Sequence, residues 1–147
     1  MLLKLRERMA SEKGFTLIEL LVVMLIIGIL AAIAIPTFFN QKQKAQDSDS
    51  KAMAHTAQTA IETYATDHQG AYTGATPALL NGIENTVDTA NVTVPTATAN
   101  SYVVTVTNPT TTHSFTITRT AGGTFTYTCL PNNANGAGGC PAGGNWG

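Results

Sequence analysis

The chain has 147 residues, a formal net charge of -1 at pH 7 and only 12% charged residues. This length suits one modest domain with a small core. After Phe15 the sequence holds only four basic residues, too few for the positively charged stripe that binds nucleic acid, so composition argues against nucleic acid as a direct partner.

Residues 1–14 form a short basic leader. Its sequence, MLLKLRERMASEKG, carries four Lys and Arg residues against two Glu residues. Lys and Arg that flank the first hydrophobic segment tend to stay in the cytoplasm. We therefore expect a cytoplasmic N-terminus, with the chain after Pro36 on the other side of the membrane.

A long apolar segment follows the leader. Between Phe15 and Phe39 the only ionisable side chain is that of Glu19. A helix of this length rises about 37 Å at ~1.5 Å per residue, enough to cross a hydrocarbon layer of about 30 Å. The sequence predicts a transmembrane helix over residues 15–39.

Three interpretations of the first forty residues compete. In a secretory signal peptide, Ala32-Ile33-Ala34 would be the cleavage site, but the apolar pattern continues past it to Phe39. A plain single-pass anchor explains the length of the apolar segment and leaves Glu19 unexplained. The third interpretation starts from the charge of Glu19.

Glu19 needs a cationic partner inside the membrane. An ionised carboxylate there costs about 2.5 to 3.5 kcal/mol, and no Lys, Arg or His lies within two helical turns on the membrane side. Cleavage after Gly14 would give Phe15 a charged α-amino group. A neighbouring copy staggered by one turn would bring that amine level with Glu19. The pattern thus indicates side-by-side assembly of copies.

The segment Gly14–Val23, GFTLIELLVV, resembles the cleavage and methylation signature of type IV prepilins and the related pseudopilins. The resemblance covers about the first seventy residues and extends through Gly28, Ala31, Ala32, Ile35 and Pro36. It implies that a prepilin peptidase cuts between Gly14 and Phe15 and then methylates the Phe15 amine. It also implies that Glu19 is the assembly residue, which accepts the Phe15 ammonium group of an adjacent subunit.

A helix kink is expected between Gly28 and Pro36. Proline removes one backbone donor and clashes with the preceding turn. The resemblance implies that this segment is partly unwound in filaments. An ordinary proline kink and a local break both remain open here.

Residues 40–69 are predicted to form an amphipathic helix. Its apolar stripe has helical period and consists of Met53, Ala57, Ala60, Ile61 and Tyr64. Gly70 is expected to end the helix as its C′ residue. Asp47-Ser48-Asp49-Ser50 has poor helix propensity and is expected to loosen one turn.

The remaining residues are predicted to form the head. Residues 70–100 are read as a variable connecting loop, with a helical turn near Pro77 to Leu80 and a poor strand near Asn91 to Val94. Residues 101–147 show period-two alternation, which predicts an antiparallel meander of three strands. The residues predicted on its apolar face are, strand by strand, Tyr102, Val104 and Val106; Phe115 and Ile117; and Phe125, Tyr127 and Cys129.

The predicted fold class is α+β. A long N-terminal helix, transmembrane in its first half and amphipathic in its second, packs on a small antiparallel sheet. The resemblance implies the ladle-shaped pilin fold.

Cys129 and Cys140 are expected to form a disulfide, because topology places them in an oxidising compartment. A crosslink over so short a loop stabilises by about 3 kcal/mol in the chain-entropy model. A metal-bound pair is the alternative, and it is disfavoured because no further ligand is spaced nearby. The resemblance is to the disulfide-bounded C-terminal region of type IV pilins.

The sequence carries no recognisable catalytic motif. His55, His68 and His113 are scattered, without a metalloprotease spacing or a nucleophile motif, and no glycine loop precedes Lys-Ser or Lys-Thr. We expect no enzymatic activity, no cofactor and no metal.

The resemblance implies a structural subunit, the major pilin, that polymerises as a homo-oligomer into a helical type IV pilus filament for adhesion, twitching motility or DNA uptake. It implies an inner-membrane precursor, a cell-surface fimbrium, and four partners: the prepilin peptidase, a separate ATPase, a platform protein and minor pilins. Alternatives are a pseudopilin of a type II secretion or competence system and a membrane-anchored protein that never polymerises. Secretion pseudopilins commonly have an acid-rich calcium loop, and no Asp or Glu follows Arg119.

Overall fold

The computed structural model describes residues 14–132 and 136–147. The chain divides into two compact units, Met1–Phe38 and Phe39–Gly147. Two helices come first, α1 (Leu17–Asp67) and α2 (Pro77–Ile83). Four strands follow, β1 (Val92–Ala97), β2 (Tyr102–Thr107), β3 (Ser114–Arg119) and β4 (Phe125–Leu130). The predicted α+β class is confirmed.

The sheet is antiparallel with strand order β1-β2-β3-β4. Its first strand is the one that the sequence predicted only weakly near Asn91 to Val94. The register of β1 against β2 shifts between Thr93 and Thr96, on either side of Pro95. Proline cannot donate to the ladder and is tolerated on edge strands and at bulges, so β1 forms one edge of the sheet despite its sequence.

The core of the second unit lies between the sheet and the second half of α1. The predicted inward side chains of β2 and β3 are fully or almost fully buried: Tyr102, Val104, Val106, Phe115 and Ile117. Four of them form one core with the apolar stripe of α1, of which Ala57, Ala60, Ile61 and Tyr64 are buried. The fifth, Phe115, packs in a second cluster with Cys129 and Cys140. The helical pattern and the alternation in β2 and β3 are confirmed. The inward face predicted for β4 is only partly correct: Cys129 is buried and Tyr127 half-buried, but Phe125 is 37% exposed at the start of this edge strand.

Helix α1 ends one residue earlier than the glycine signal indicated. Gln69 adopts the left-handed conformation, with φ 59°, and takes the C′ position that was expected for Gly70. The Gly70 amide donates to the Ala65 carbonyl at 2.8 Å, which is the six-to-one bond of a Schellman motif. His68 Nδ1 donates to the Tyr64 carbonyl at 2.8 Å and helps to complete this end.

The expectation of a loosened turn at Asp47-Ser48-Asp49-Ser50 is wrong. Helix α1 is continuous there, and the Asp47 side chain is fully buried. The Asn108 amide, in the turn after β2, donates to the Gln46 carbonyl at 2.8 Å and to the Ser50 hydroxyl at 3.0 Å. Tertiary hydrogen bonds outweigh the poor local propensity.

We expect Phe115→Ala to lower the free energy of unfolding by about 3 to 5 kcal/mol, because Phe115 is completely buried. Phe125→Ala is the matched control, since Phe125 is 37% exposed, and should cost about 1 kcal/mol. Urea unfolding of the full chain in detergent, followed by the fluorescence of the single tryptophan, Trp146, measures both. Equal midpoints for the two variants would contradict the core described above.

A second set of contacts joins α1 to the sheet through Glu62. The hydroxyl groups of Tyr102 and Tyr72 donate to the two Glu62 oxygens at 2.9 and 2.7 Å. Arg119 Nε lies 3.6 Å from Glu62 Oε1. Burial, followed by the hydrogen bond to Glu62, raises the pKa of both tyrosines.

These raised pKa values predict lower stability in alkali. A tyrosine in the unfolded chain releases its proton near pH ~10, whereas the folded state retains it, so the free energy of unfolding falls as pH rises above ~10. We expect Tyr102→Phe to lose less stability than the wild type when the pH is raised, and Tyr127→Phe on β4 is the control. Urea midpoints at roughly pH 8 and pH 11 test it. An unchanged alkaline loss in Tyr102→Phe would contradict the assignment.

Candidate functional site

The candidate site is the start of α1, where the predicted cleavage and assembly residues lie. Thr16 immediately precedes the helix, and Glu19 Oε2 accepts from the Thr16 amide at 2.9 Å and from its hydroxyl at 2.7 Å. In return, the Glu19 amide donates to Thr16 Oγ1 at 3.3 Å. This reciprocal arrangement is a capping box, which satisfies amide groups that have no partner within the helix. The Thr-x-x-Glu spacing carries this signal in the sequence, so the capping box was predictable although it was not predicted.

The first half of α1 presents apolar side chains on every side. The large hydrophobic residues from Phe15 to Phe39 have exposed fractions between 48% and 84%. The helix is long and apolar enough to cross a membrane. A contiguous apolar surface of this size marks contact with lipid or with other protein chains. Glu19 is the only acid within this surface.

The sequence predicted a kink or break between Gly28 and Pro36. In the structure α1 runs without interruption from Leu17 to Asp67 and contains Pro36. Next to the proline, Thr37 Oγ1 donates to the Ala34 carbonyl at 2.8 Å and to the Ile33 carbonyl at 3.3 Å. These bonds occupy carbonyl groups beside the backbone donor that Pro36 lacks. Local unwinding at Gly28 to Pro36 stays a prediction for the assembled state.

The structure joins Cys129 and Cys140 by a disulfide, with the two Cα atoms 5.6 Å apart. Both residues are buried. Cys129 lies on β4, and its amide donates to the Gly144 carbonyl at 2.8 Å. The disulfide therefore ties Cys140 to the edge strand β4, and the crosslink that the sequence predicted is present.

The three histidines do not come together. His55 packs against the rings of Tyr127 and Trp146, His68 stacks on Tyr64, and His113 contacts Asp47. Over residues 14–132 and 136–147, no group of three or more His, Cys, Asp or Glu side chains is placed to hold a metal ion.

Comparison with known proteins gives a consistent assignment at the N-terminus. A family model described as the prokaryotic N-terminal methylation motif matches residues 9–35, which include the candidate site. The chain is 39% identical over 95 residues to the type IV wide pilus major component of Thermus thermophilus, covering 64% of this chain and 72% of that protein. No solved structure matches the chain.

Two further relatives match over shorter regions. The type IV major fimbrial protein of Dichelobacter nodosus is 45% identical over 85 residues, which are 54% of this chain and 52% of that protein. The ComG operon protein 3 homolog of Bacillus licheniformis is 45% identical over 60 residues, which are 41% of this chain and 62% of that protein. The matched regions thus cover roughly half to two thirds of these two proteins.

The fold and the start of α1 define a class of protein: a long helix whose apolar first half carries one acid, followed by a small disulfide-bonded α+β head. The chain belongs to the type IV pilin family, as the similarity to the Thermus pilus component shows.

Proposed function

We propose that this chain is a structural subunit, the major pilin, that polymerises into a bacterial type IV pilus. The observation that carries the proposal is the exposed apolar surface of α1 with Glu19 at its beginning. The second unit has its own core and does not need this surface for folding. The apolar surface is therefore available for lipid before assembly and for other copies afterwards.

Processing of the precursor is the first step of the proposal. Residues 1–14 are the leader, and the prepilin peptidase cuts between Gly14 and Phe15. Gly14 precedes the helix, and a Cβ atom added there would meet no other heavy atom within 4 Å. Phe15 is 84% exposed. An exposed residue next to one without a side chain is a suitable substrate for a peptidase that closes on the backbone.

Glu19 then directs assembly. Cleavage converts the Phe15 amide nitrogen into a charged amine, which the peptidase methylates. A neighbouring subunit displaced by one helical turn presents this ammonium group to the Glu19 carboxylate. The pair removes the cost of a lone carboxylate in hydrocarbon and fixes the axial stagger of the subunits. Residues 15–39 form the filament core, and residues 40–69 connect it to the head.

The cellular setting follows from the same proposal. The precursor lies in the inner membrane with its N-terminus in the cytoplasm, and the assembled subunit forms a fimbrium on the cell surface. A separate ATPase and a platform protein drive assembly, and minor pilins join the filament. Adhesion, twitching motility and DNA uptake are properties of the whole fibre.

One observation favours a second function. The match to the ComG operon protein 3 homolog points to a competence pseudopilin. That match covers 60 residues of this chain, whereas the match to the Thermus pilus component covers 95 residues. The absence of acidic residues after Arg119 also separates the chain from calcium-binding secretion pseudopilins.

Electron microscopy of cells that lack the gene tests the proposal. We expect surface filaments to disappear on deletion and to return when the full chain is supplied from a plasmid. A pseudopilin would leave long surface filaments unchanged in the deletion strain, and that result would overturn the assignment as major pilin.

A further inference from the structure

Asp47 is a fully buried carboxylate in the second half of α1. Its Oδ1 atom accepts from the Thr111 hydroxyl at 2.6 Å. Its Oδ2 atom accepts from His113 Nδ1 at 2.6 Å and from the Gly139 amide at 2.7 Å. Burying a carboxylate is costly unless hydrogen bonds compensate, and three donors do so here. Two of them come from the turn between β2 and β3, and the third comes from the chain next to Cys140.

Residues 136–147, here called the C-terminal segment, contact Asp47 through the backbone of Gly138 and Gly139. A Cβ atom added to Gly139 would lie 2.5 Å from Asp47 Cβ. A Cβ atom added to Gly138, whose φ is +54°, would collide with Asp47 Oδ2 and lie within 3.0 Å of His113 ring atoms. Two successive glycines therefore allow the close approach through which the Gly139 amide reaches the carboxylate.

A second contact lies one helical turn further along α1. Lys51 Nζ is 5.5 Å from the centre of the Phe115 ring and 5.7 Å from that of Trp146. Trp146 is held against β4, because its Nε1 donates to the Thr128 carbonyl at 2.8 Å. The same face of α1 thus contacts the C-terminal segment through Asp47 and, near its end, through Lys51.

We propose that Asp47 docks the C-terminal segment on α1 independently of the disulfide. The two constraints act on neighbouring residues and tie them to different elements: the disulfide joins Cys140 to β4, and the carboxylate joins Gly139 to α1. Breaking one constraint leaves the other in place. After reduction of the disulfide, the C-terminal segment accordingly stays bound to Asp47 on α1, with Cys140 close to Cys129.

Hydrogen exchange of the full-length chain in detergent, before and after reduction with a phosphine, tests this proposal. In the reduced wild type we expect peptides from residues 136–147 to exchange less than ~10-fold faster than in the oxidised wild type. In reduced Asp47→Ala they should exchange about 10- to 100-fold faster than in the reduced wild type, the range expected for loss of a charge-assisted hydrogen bond. Asp49→Ala is the matched control, because Asp49 is exposed on the same helix.

A second variant approaches the contact from the other side. Gly139→Ala keeps the Asp47 carboxylate but adds a methyl group that prevents the close approach of the C-terminal segment to Asp47. Gly122→Ala is its control, since a Cβ atom at Gly122 meets only the Thr120 hydroxyl at 3.9 Å. Reduced Gly139→Ala should match reduced Asp47→Ala at residues 136–147 and retain protection in β2 and β3. If Asp47→Ala fails to fold, Gly139→Ala decides the question. Exchange in the reduced wild type as fast as in reduced Gly139→Ala would overturn the proposal.

Discussion

Glu19→Ala is expected to abolish filaments while the protein still inserts in the membrane. In our account the carboxylate is the only acid on the apolar surface and receives the ammonium group of a neighbouring subunit. Without it, the amine at Phe15 would enter the filament core unpaired, at a cost of several kcal/mol for each subunit added. Because this cost recurs at every added subunit, we expect no filaments at all. Electron microscopy of sheared surface material and fractionation of membranes measure assembly and insertion separately.

A second variant separates charge from helix capping. Glu19 also closes the capping box with Thr16, and glutamine serves that position as well as glutamate does. Glu19→Gln should therefore keep the helix start and still fail to assemble, because it lacks the negative charge. Glu84→Gln, on an exposed glutamate of the head, is the matched control and should assemble normally. Normal filaments built from Glu19→Gln or Glu19→Ala protein would refute the charge pairing, whereas normal filaments that lack this chain would favour a non-polymerising anchor.

Gly14→Val is expected to block removal of the leader almost completely. A branched side chain at this position would stand between the backbone and the peptidase, whereas Gly14 presents only backbone in open space. The precursor should accumulate in the membrane with residues 1–14 still attached, and filaments should be absent. Electrophoretic mobility and N-terminal sequencing of the membrane protein measure this outcome.

Gly28→Val is the control for that experiment. A Cβ atom added at Gly28 would also meet no heavy atom within 4 Å beyond the backbone of its own helix, and Gly28 lies within α1, away from the cleavage site. Its leader should be removed as in the wild type, whatever the effect on later assembly. Wild-type processing of Gly14→Val would show that the cut lies elsewhere.

Much of the fold could be predicted because its signals are local and periodic. The stripe from Ala57 to Tyr64 repeats with helical period, and the alternation in β2 and β3 places Val104 and Ile117 inside. These patterns state which face is buried without stating what covers it. The transmembrane segment and its single acid, Glu19, could also be predicted, because one charged residue in a long apolar segment is visible from the composition of that segment.

The features that escaped prediction depend on contacts distant in sequence. Asp47 appeared to be a poor helix former, and its partners Thr111, His113 and Gly139 lie 64, 66 and 92 residues away. No local pattern around Asp47 in the sequence predicts these three partners. Strand β1 was weakly predicted for a related reason: Pro95 and the threonines around it have no strong alternation, and pairing with β2 determines its conformation.

The capping box at Thr16 and Glu19 is different, because its signal was present. A carboxylate in an apolar segment requires a partner, and in the single chain the donors nearest to Glu19 are the amide and hydroxyl groups of Thr16. Both roles are compatible. The box satisfies the carboxylate in the isolated chain, and the ammonium group of a neighbour adds the opposite charge on assembly.

Mass spectrometry of sheared, purified filaments shows where the mature chain begins. We expect their principal polypeptide to begin at Phe15 and to carry a methyl group on its α-amine, with Cys129 and Cys140 joined. Filaments that lack this polypeptide, or that contain it with Met1 still at its N-terminus, would contradict the account.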